Sequence, residues 1–183
     1  AAHLSRRVAE ILGNALAYPP NPYAPAGDPI AKTGHMRFAG TVSMSAETLA
    51  AVSRDIAISA LAVGFTHVIM LGDHGETQEI IKEVAGSVDA EWRSRGGRVI
   101  FIPVYDEGEG RMREILTARN VPNNRMTPID DAAEMMALDS SNRWIRAEHL
   151  PQDIAAVASG ELGHQFIDGK VEVAVARIRE LVQ

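Results

Sequence analysis

The sequence predicts a layered α/β fold, with a mostly parallel sheet flanked by helices. Two apolar runs, 67–71 and 98–104, read as strands, and a long helical pattern joins them. Strand–helix–strand order with a right-handed crossover makes such a pair parallel. The helical pattern before the first strand reaches it across a three-residue link, a length typical of α/β units.

Taken in order, His3 to Leu12 reads as a helix, because Leu4, Val8, Ile11 and Leu12 recur three and four apart. Gly13-Asn14 stops it. Ala15 to Tyr18 reads as a short strand. A loop follows from Pro19 to Gly40, with five of the nine prolines between Pro19 and Pro29. Loops this long are functional or disordered; the fixed prolines with Tyr23, His35 and Phe38 favour an ordered, functional one. The next helix opens at Ser45 as N-cap, with Glu47 in its first turn. Leu49, Val52, Ile56, Ala60 and Val63 mark its apolar face, and Gly64 ends it.

Strand 67–71 runs into Gly72-Asp73-His74-Gly75-Glu76, a tight polar turn. A helix then extends to about Arg95, with Ile80, Ile81, Val84, Val88 and Trp92 on its buried face, and Gly96-Gly97 stops it. Strand 98–104 is apolar on both faces over Val99 to Ile102. Tyr105 to Gly110 reads as an acidic, glycine-rich loop, Arg111 to Arg119 as a short helix and Val121 to Pro128 as a polar loop. Asp131 to Leu138 reads as a helix capped by Asp130 or Asp131. Residues 142–158 show no clear period, and Leu162 to Val182 reads as a terminal helix. No repeat, low-complexity tract or boundary is visible, so residues 1–183 read as one domain.

Composition narrows the function. Apolar residues are 46% and charged residues 23%, with a net charge of −6. An acidic chain is a poor match for nucleic acid, which demands a basic face. No apolar run approaches membrane-spanning length, and no signal peptide is visible; a cytoplasmic location is expected. With no cysteine, thiolate zinc sites, disulfides and cysteine nucleophiles are excluded. Any metal must be held by His, Asp and Glu, a set suited to zinc, manganese or iron.

In an open parallel sheet, ligands bind beyond the carboxyl ends of the strands. Here that place holds Asp73, His74 and Glu76. An imidazole and a carboxylate two residues apart form a common first shell for a divalent metal, and Asp73 is a third ligand or the acceptor that orients the imidazole. The same residues also suit a helix start, with Asp73 as cap and Glu76 against the dipole. His35 either lines a pocket or packs at a subunit contact. Asp130, Asp131 and Glu134 are clustered acids, two of which capping accounts for.

Three segments resemble the creatininase (creatinine amidohydrolase) family. His35-Met36-Arg37-Phe38-Ala39-Gly40-Thr41-Val42-Ser43 is similar to its His-x-x-Phe-Pro-Gly-Thr-x-Ser segment, with Ala39 in place of proline. Gly64-Phe65 to Gly75-Glu76 resembles its strand ending in a His-x-Glu form. Ile129 to Asp139 falls where the family has a His-Ala-Gly-x-x-x-Thr-Ser stretch, though that His and the Thr-Ser pair are missing. The turn Ser159 to Gly163 also sits where the family has one before its last helix.

The resemblance implies a creatininase-like fold lacking the family's first strand. It also implies a zinc or manganese site of two ions and hydrolysis of a cyclic amide or related C–N bond in a small-molecule substrate. It makes His74 and Glu76 metal ligands, with Asp73 the further candidate beside them, and offers His35 and Glu134 as weaker candidates for the catalytic pocket. The family's Glu-x-His pair and a further Asp ligand are expected from a segment before Ala1. A homo-oligomer is expected, and the alternative is a non-catalytic relative that binds a small molecule or assembles a complex.

Overall fold

The computed structural model describes residues 1–122, 126–139, 141 and 143–182. The chain, read from sequence as one span, divides into two compact units, residues 1–103 with 177–183, and residues 104–176.

In the first unit, α1 is Ala2–Leu12, α2 Ala46–Ala62, β1 His67–Leu71, α3 Gln78–Trp92 and β2 Arg98–Ile102. Strands β1 and β2 pair in parallel, His67 opposite Arg98 and Leu71 opposite Ile102. The start of α2 follows the sequence: Ser45 is extended and its Oγ accepts from Thr48 N at 3.1 Å. Gly64 takes the left-handed conformation, φ 107°, that a helix end needs. The core gathers Ala57 and Leu61 from α2, Ala85 and Val88 from α3, and Val99 from β2. Burying such side chains contributes about 25 cal/mol per Å2 of apolar surface.

Two expectations for this unit are corrected. Ala15 to Tyr18 forms no strand, since a strand needs a partner for its backbone and that stretch has no ladder. On α2 the buried residues are Leu49, Ala57, Ala60 and Leu61, whereas Val52, Ile56 and Val63 are exposed. The helix turns its small face to α3, and Ile56 faces a cavity. All five residues of β1 are half-buried, unlike β2, where Val99, Ile100 and Ile102 are buried.

An aspartate that the periodicity did not mark ties this unit together. Asp89 on α3 accepts from Val99 N at 2.9 Å and Arg98 Nε at 2.8 Å on β2, and from Arg93 one turn on. Burial raises its pKa, but the bonds from Arg93, Arg98 and Val99 outweigh it and hold the carboxyl at about 2.

In the second unit, α4 is Val104–Ala118, α5 Met126–Leu138 and α6 Gln152–Ala155, and α7, Gly160–Leu181, belongs to it up to Ala176. Its core holds Met112, Leu116, Ile129, Ala133, Ile154 and Phe166. The expected loop 105–110 is instead the start of α4. Gly108 is buried, and a Cβ there would sit 2.8 Å from Lys170 Cγ; the glycine serves close approach, not flexibility. The expected polar loop 121–128 lies partly outside the described residues, and α5 already runs from Met126. Pro128 is tolerated because it lies in the first turn, where no helical partner is needed for its nitrogen. Asp130 is therefore not a cap. It is buried inside the helix, and its Oδ1 accepts from Asp131 N at 2.8 Å.

Candidate functional site

The turn beyond β1 is held by backbone and by one buried amide. Gly72 N donates to Ile102 O at 2.9 Å, the last rung of the ladder. Gln78 is buried and its Nε2 donates to Gly72 O at 3.1 Å. A Cβ on Gly72 would meet the Phe101 ring at 2.7 Å and the Gln78 amide oxygen, so only glycine fits. His74 is extended, φ −146° and ψ 124°, and its carbonyl accepts from Thr77 N and Thr77 Oγ1. A short 3-10 turn, Gly75–Thr77, leads into α3.

This arrangement presents His74 and Glu76 to solvent and sets Asp73 half-buried beside them. Asp73 Oδ2 lies 3.2 Å from the Ala1 amino group. The capping reading fails here: His74 is the residue before the 3-10 turn, Thr77 the residue before α3, and neither start has a side-chain cap. Asp73 and His74 line a cavity of about 710 Å3 that runs along β1, while Glu76 and His35 are not among its lining residues. His35 is exposed on the 3-10 turn Gly34–Arg37, its ring edge-on to Phe38 at 6.4 Å.

Glu134 belongs to the second unit. Its Oε1 pairs with Lys170 Nζ at 2.9 Å, and Lys170 is buried. Burial, with the charges of Asp131 and Glu134, pushes the Asp130 carboxyl up to about 7 against the pull of the Asp131 N–H and Lys170. Tyr105 is also pushed up, by burial and then by Asp130, Asp131 and Glu109. The clustered acids 130, 131 and 134 were visible in the sequence, but their partners Tyr105 and Lys170 were not, because these lie on other helices.

The fit to metal is partial. Imidazole and carboxylate are the right donors for zinc or manganese, and one turn brings three of them close in sequence. Yet among the described residues no group of three or more His, Asp or Glu converges to hold an ion. A two-ion centre requires more donors than this turn provides.

The sequence profile of a family described as creatininase, creatinine amidohydrolase, matches residues 1–156. A structure of creatinine amidohydrolase (creatininase) superposes at a TM-score of 0.74 and 19% identity, covering 97% of this chain and 79% of that one. A manganese creatininase gives 0.73 at 20% identity, covering 97% and 80%. A mutant creatininase complexed with creatine gives 0.73 at 18% identity with the same coverage. At these identities the structural likeness speaks for the fold. No curated protein matches the chain.

Proposed function

The chain belongs to the creatininase family, and from that premise we propose that it serves a metal-dependent amidohydrolase. The reaction is hydrolysis of a cyclic amide or related C–N bond in a small molecule. The observation that carries this is the His74-Gly75-Glu76 turn at the carboxyl end of β1, where α/β sheets place ligands. Solved relatives named for manganese and for zinc support a divalent ion. His74 and Glu76, with Asp73, contribute part of the donor set, and the remaining donors come from outside the described residues. On the family resemblance alone His35 and Glu134 are each proposed as catalytic residues; neither is among the residues lining the cavity beside β1.

The test is metal content and turnover together. Purified protein, loaded with zinc or manganese and dialysed, is assayed for bound ions and for opening of creatinine and related cyclic amides. His74→Ala and Glu76→Ala should each lower bound metal at least tenfold, the loss typical of a removed or disoriented ligand, and lower turnover with it. Unchanged metal and activity in both variants would sink the reading.

A second reading follows from the absence of a three-donor group among the described residues. On it the protein is a non-catalytic family member that binds a small molecule or assembles a complex. Saturable binding of a cyclic amide by metal-free protein, without turnover in zinc or manganese, would favour it. The proposed assembly is a homo-oligomer in the cytoplasm. A monomeric mass by light scattering at working concentration would refute the first part. Among the described residues no helix is long and apolar enough to cross a membrane.

A further inference from the structure

Inside the second unit, three helices bring charged groups around one buried carboxyl. Asp130 of α5 is buried, and its Oδ1 accepts from Asp131 N at 2.8 Å. Glu134 stands four residues further on the same helix, so the two acids are neighbours on one face, where like charges repel. Asp131 adds a third acid beside them, exposed at the surface. Lys170 reaches in from α7; it is buried, and its Nζ lies 2.9 Å from Glu134 Oε1. From α4, Tyr105 and Glu109 belong to the same electrostatic neighbourhood. Burial and the carboxylates of Asp131 and Glu134 push the Asp130 carboxyl up to about 7, against the pull of the Asp131 N–H and Lys170. An ordinary aspartate keeps its charge at every pH near neutral; Asp130 changes its charge there.

Lys170 is built to respond to that change. Its stem crosses α4 at Gly108, where a Cβ would sit 2.8 Å from Cγ, 3.7 Å from Cδ and 3.8 Å from Cβ. The missing side chain lets the stem lie flush against α4. The ammonium, at the free end, turns about the last bonds of the side chain. Acids one helical turn apart have Cβ atoms about 5–6 Å from one another, a short swing for such a group.

Burial decides which acid the ammonium serves. While Asp130 holds its proton, Glu134 is the charged neighbour and the 2.9 Å pair forms. Once Asp130 ionises, the two carboxylates compete. Water reaches the half-buried Glu134 better than the buried Asp130, and a buried charge without a counter-ion costs more than a part-solvated one. We infer that Lys170 is a pH-driven switch, paired with Glu134 below neutral pH and drawn to the newly ionised Asp130 above it, where it gives up its hold on Glu134. The inference concerns the second unit alone and stands whether or not Glu134 takes part in catalysis.

The test is NMR on the full, isotope-labelled chain. The carboxyl carbons of Asp130 and Glu134 are titrated, and nuclear Overhauser contacts of the Lys170 ε-methylene are recorded at about pH 5.5 and about pH 8.5, on either side of the Asp130 midpoint. In the unaltered protein the Lys170 contacts to Glu134 should be lost at the higher pH as contacts to Asp130 appear. In Asp130→Asn they should stay on Glu134 at both values. Glu134→Gln removes one like charge and the rival acid, so the Asp130 midpoint should fall by about one unit or more. Contacts that remain on Glu134 at both pH values in the unaltered protein would overturn the proposal, leaving Asp130 a buried acid that titrates alone. An Asp130 midpoint below about 5, within the ordinary carboxyl range, would overturn it too. So would a midpoint that Glu134→Gln leaves unmoved.

Discussion

Replacing Asp89 with asparagine removes one charge and little else. The carboxylate accepts from Val99 N, Arg98 and Arg93, and its pKa is held at about 2 against an ordinary 3.8. The gap between about 2 and the ordinary value corresponds to roughly 2 kcal/mol of preference for the charged form in the folded state. The side chain is 11% exposed, so solvent screens little of it. Because the folded value is depressed, this stability is present above pH 4 and is lost as pH falls through about 2. Asp89→Asn should therefore cost about 2 kcal/mol at pH 7, and the gap between the two proteins should close between pH 4 and pH 2. Urea titrations followed by tryptophan fluorescence measure it, in a Trp144→Phe background so that Trp92 in the first unit is the sole reporter. A variant within about 0.5 kcal/mol of the parent at pH 7, the usual range of surface substitutions, would refute the reasoning. So would a gap that does not change with pH.

The buried network of the second unit gives the opposite sign. Asp130 is raised to about 7, so its contribution is fullest below pH 4 and is lost as pH rises through 7. Asp130→Asn should raise stability at pH 8 by up to about 4 kcal/mol and leave it unchanged near pH 3; a thermal melt at both values checks this. Gly163→Ala puts a Cβ 2.8 Å from Glu134 N and closer still to the Ala133 carbonyl. It should destabilise by about 3 kcal/mol or more, read as a lower melting temperature. Gly72→Ala pushes on Phe101 and Gln78, which should speed hydrogen exchange at Thr77 and weaken any ion held by His74 and Glu76. Ser45→Ala should cost about 1 kcal/mol through the lost bond to Thr48 N.

What local chemistry specifies could be read from the sequence. The period of α1, the Ser45 cap, the glycine stops at Gly64 and Gly96, and the order β1–α3–β2 all rest on interactions within a few residues. The turn bearing Asp73, His74 and Glu76 was legible for the same reason: an apolar run meeting Gly-Asp-His-Gly-Glu has few other places to sit in a parallel sheet. The motifs around His35 and His74 carried the family as well.

Partners distant in sequence decided the rest. Tyr105 to Gly110 became helix because Gly108 admits the Lys170 side chain, a contact across 62 positions that a local window reads as loop composition. Asp130 looked like a cap and proved to be a buried acid, since α5 begins four residues earlier. Gln78 and Asp89 carried no signal because each is ordinary on a helix until a strand end or a β2 amide meets it. Ala15 to Tyr18 shows the boundary most plainly. Its composition suits a strand, but a strand is a pairing, and pairing is a property of two segments. The sequence by itself determined the helices with a clear period, the order β1–α3–β2 and the polar turn after β1; tertiary structure decided whether 15–18 and 105–110 are strand, loop or helix and which residues are buried or charged, because those depend on what lies alongside.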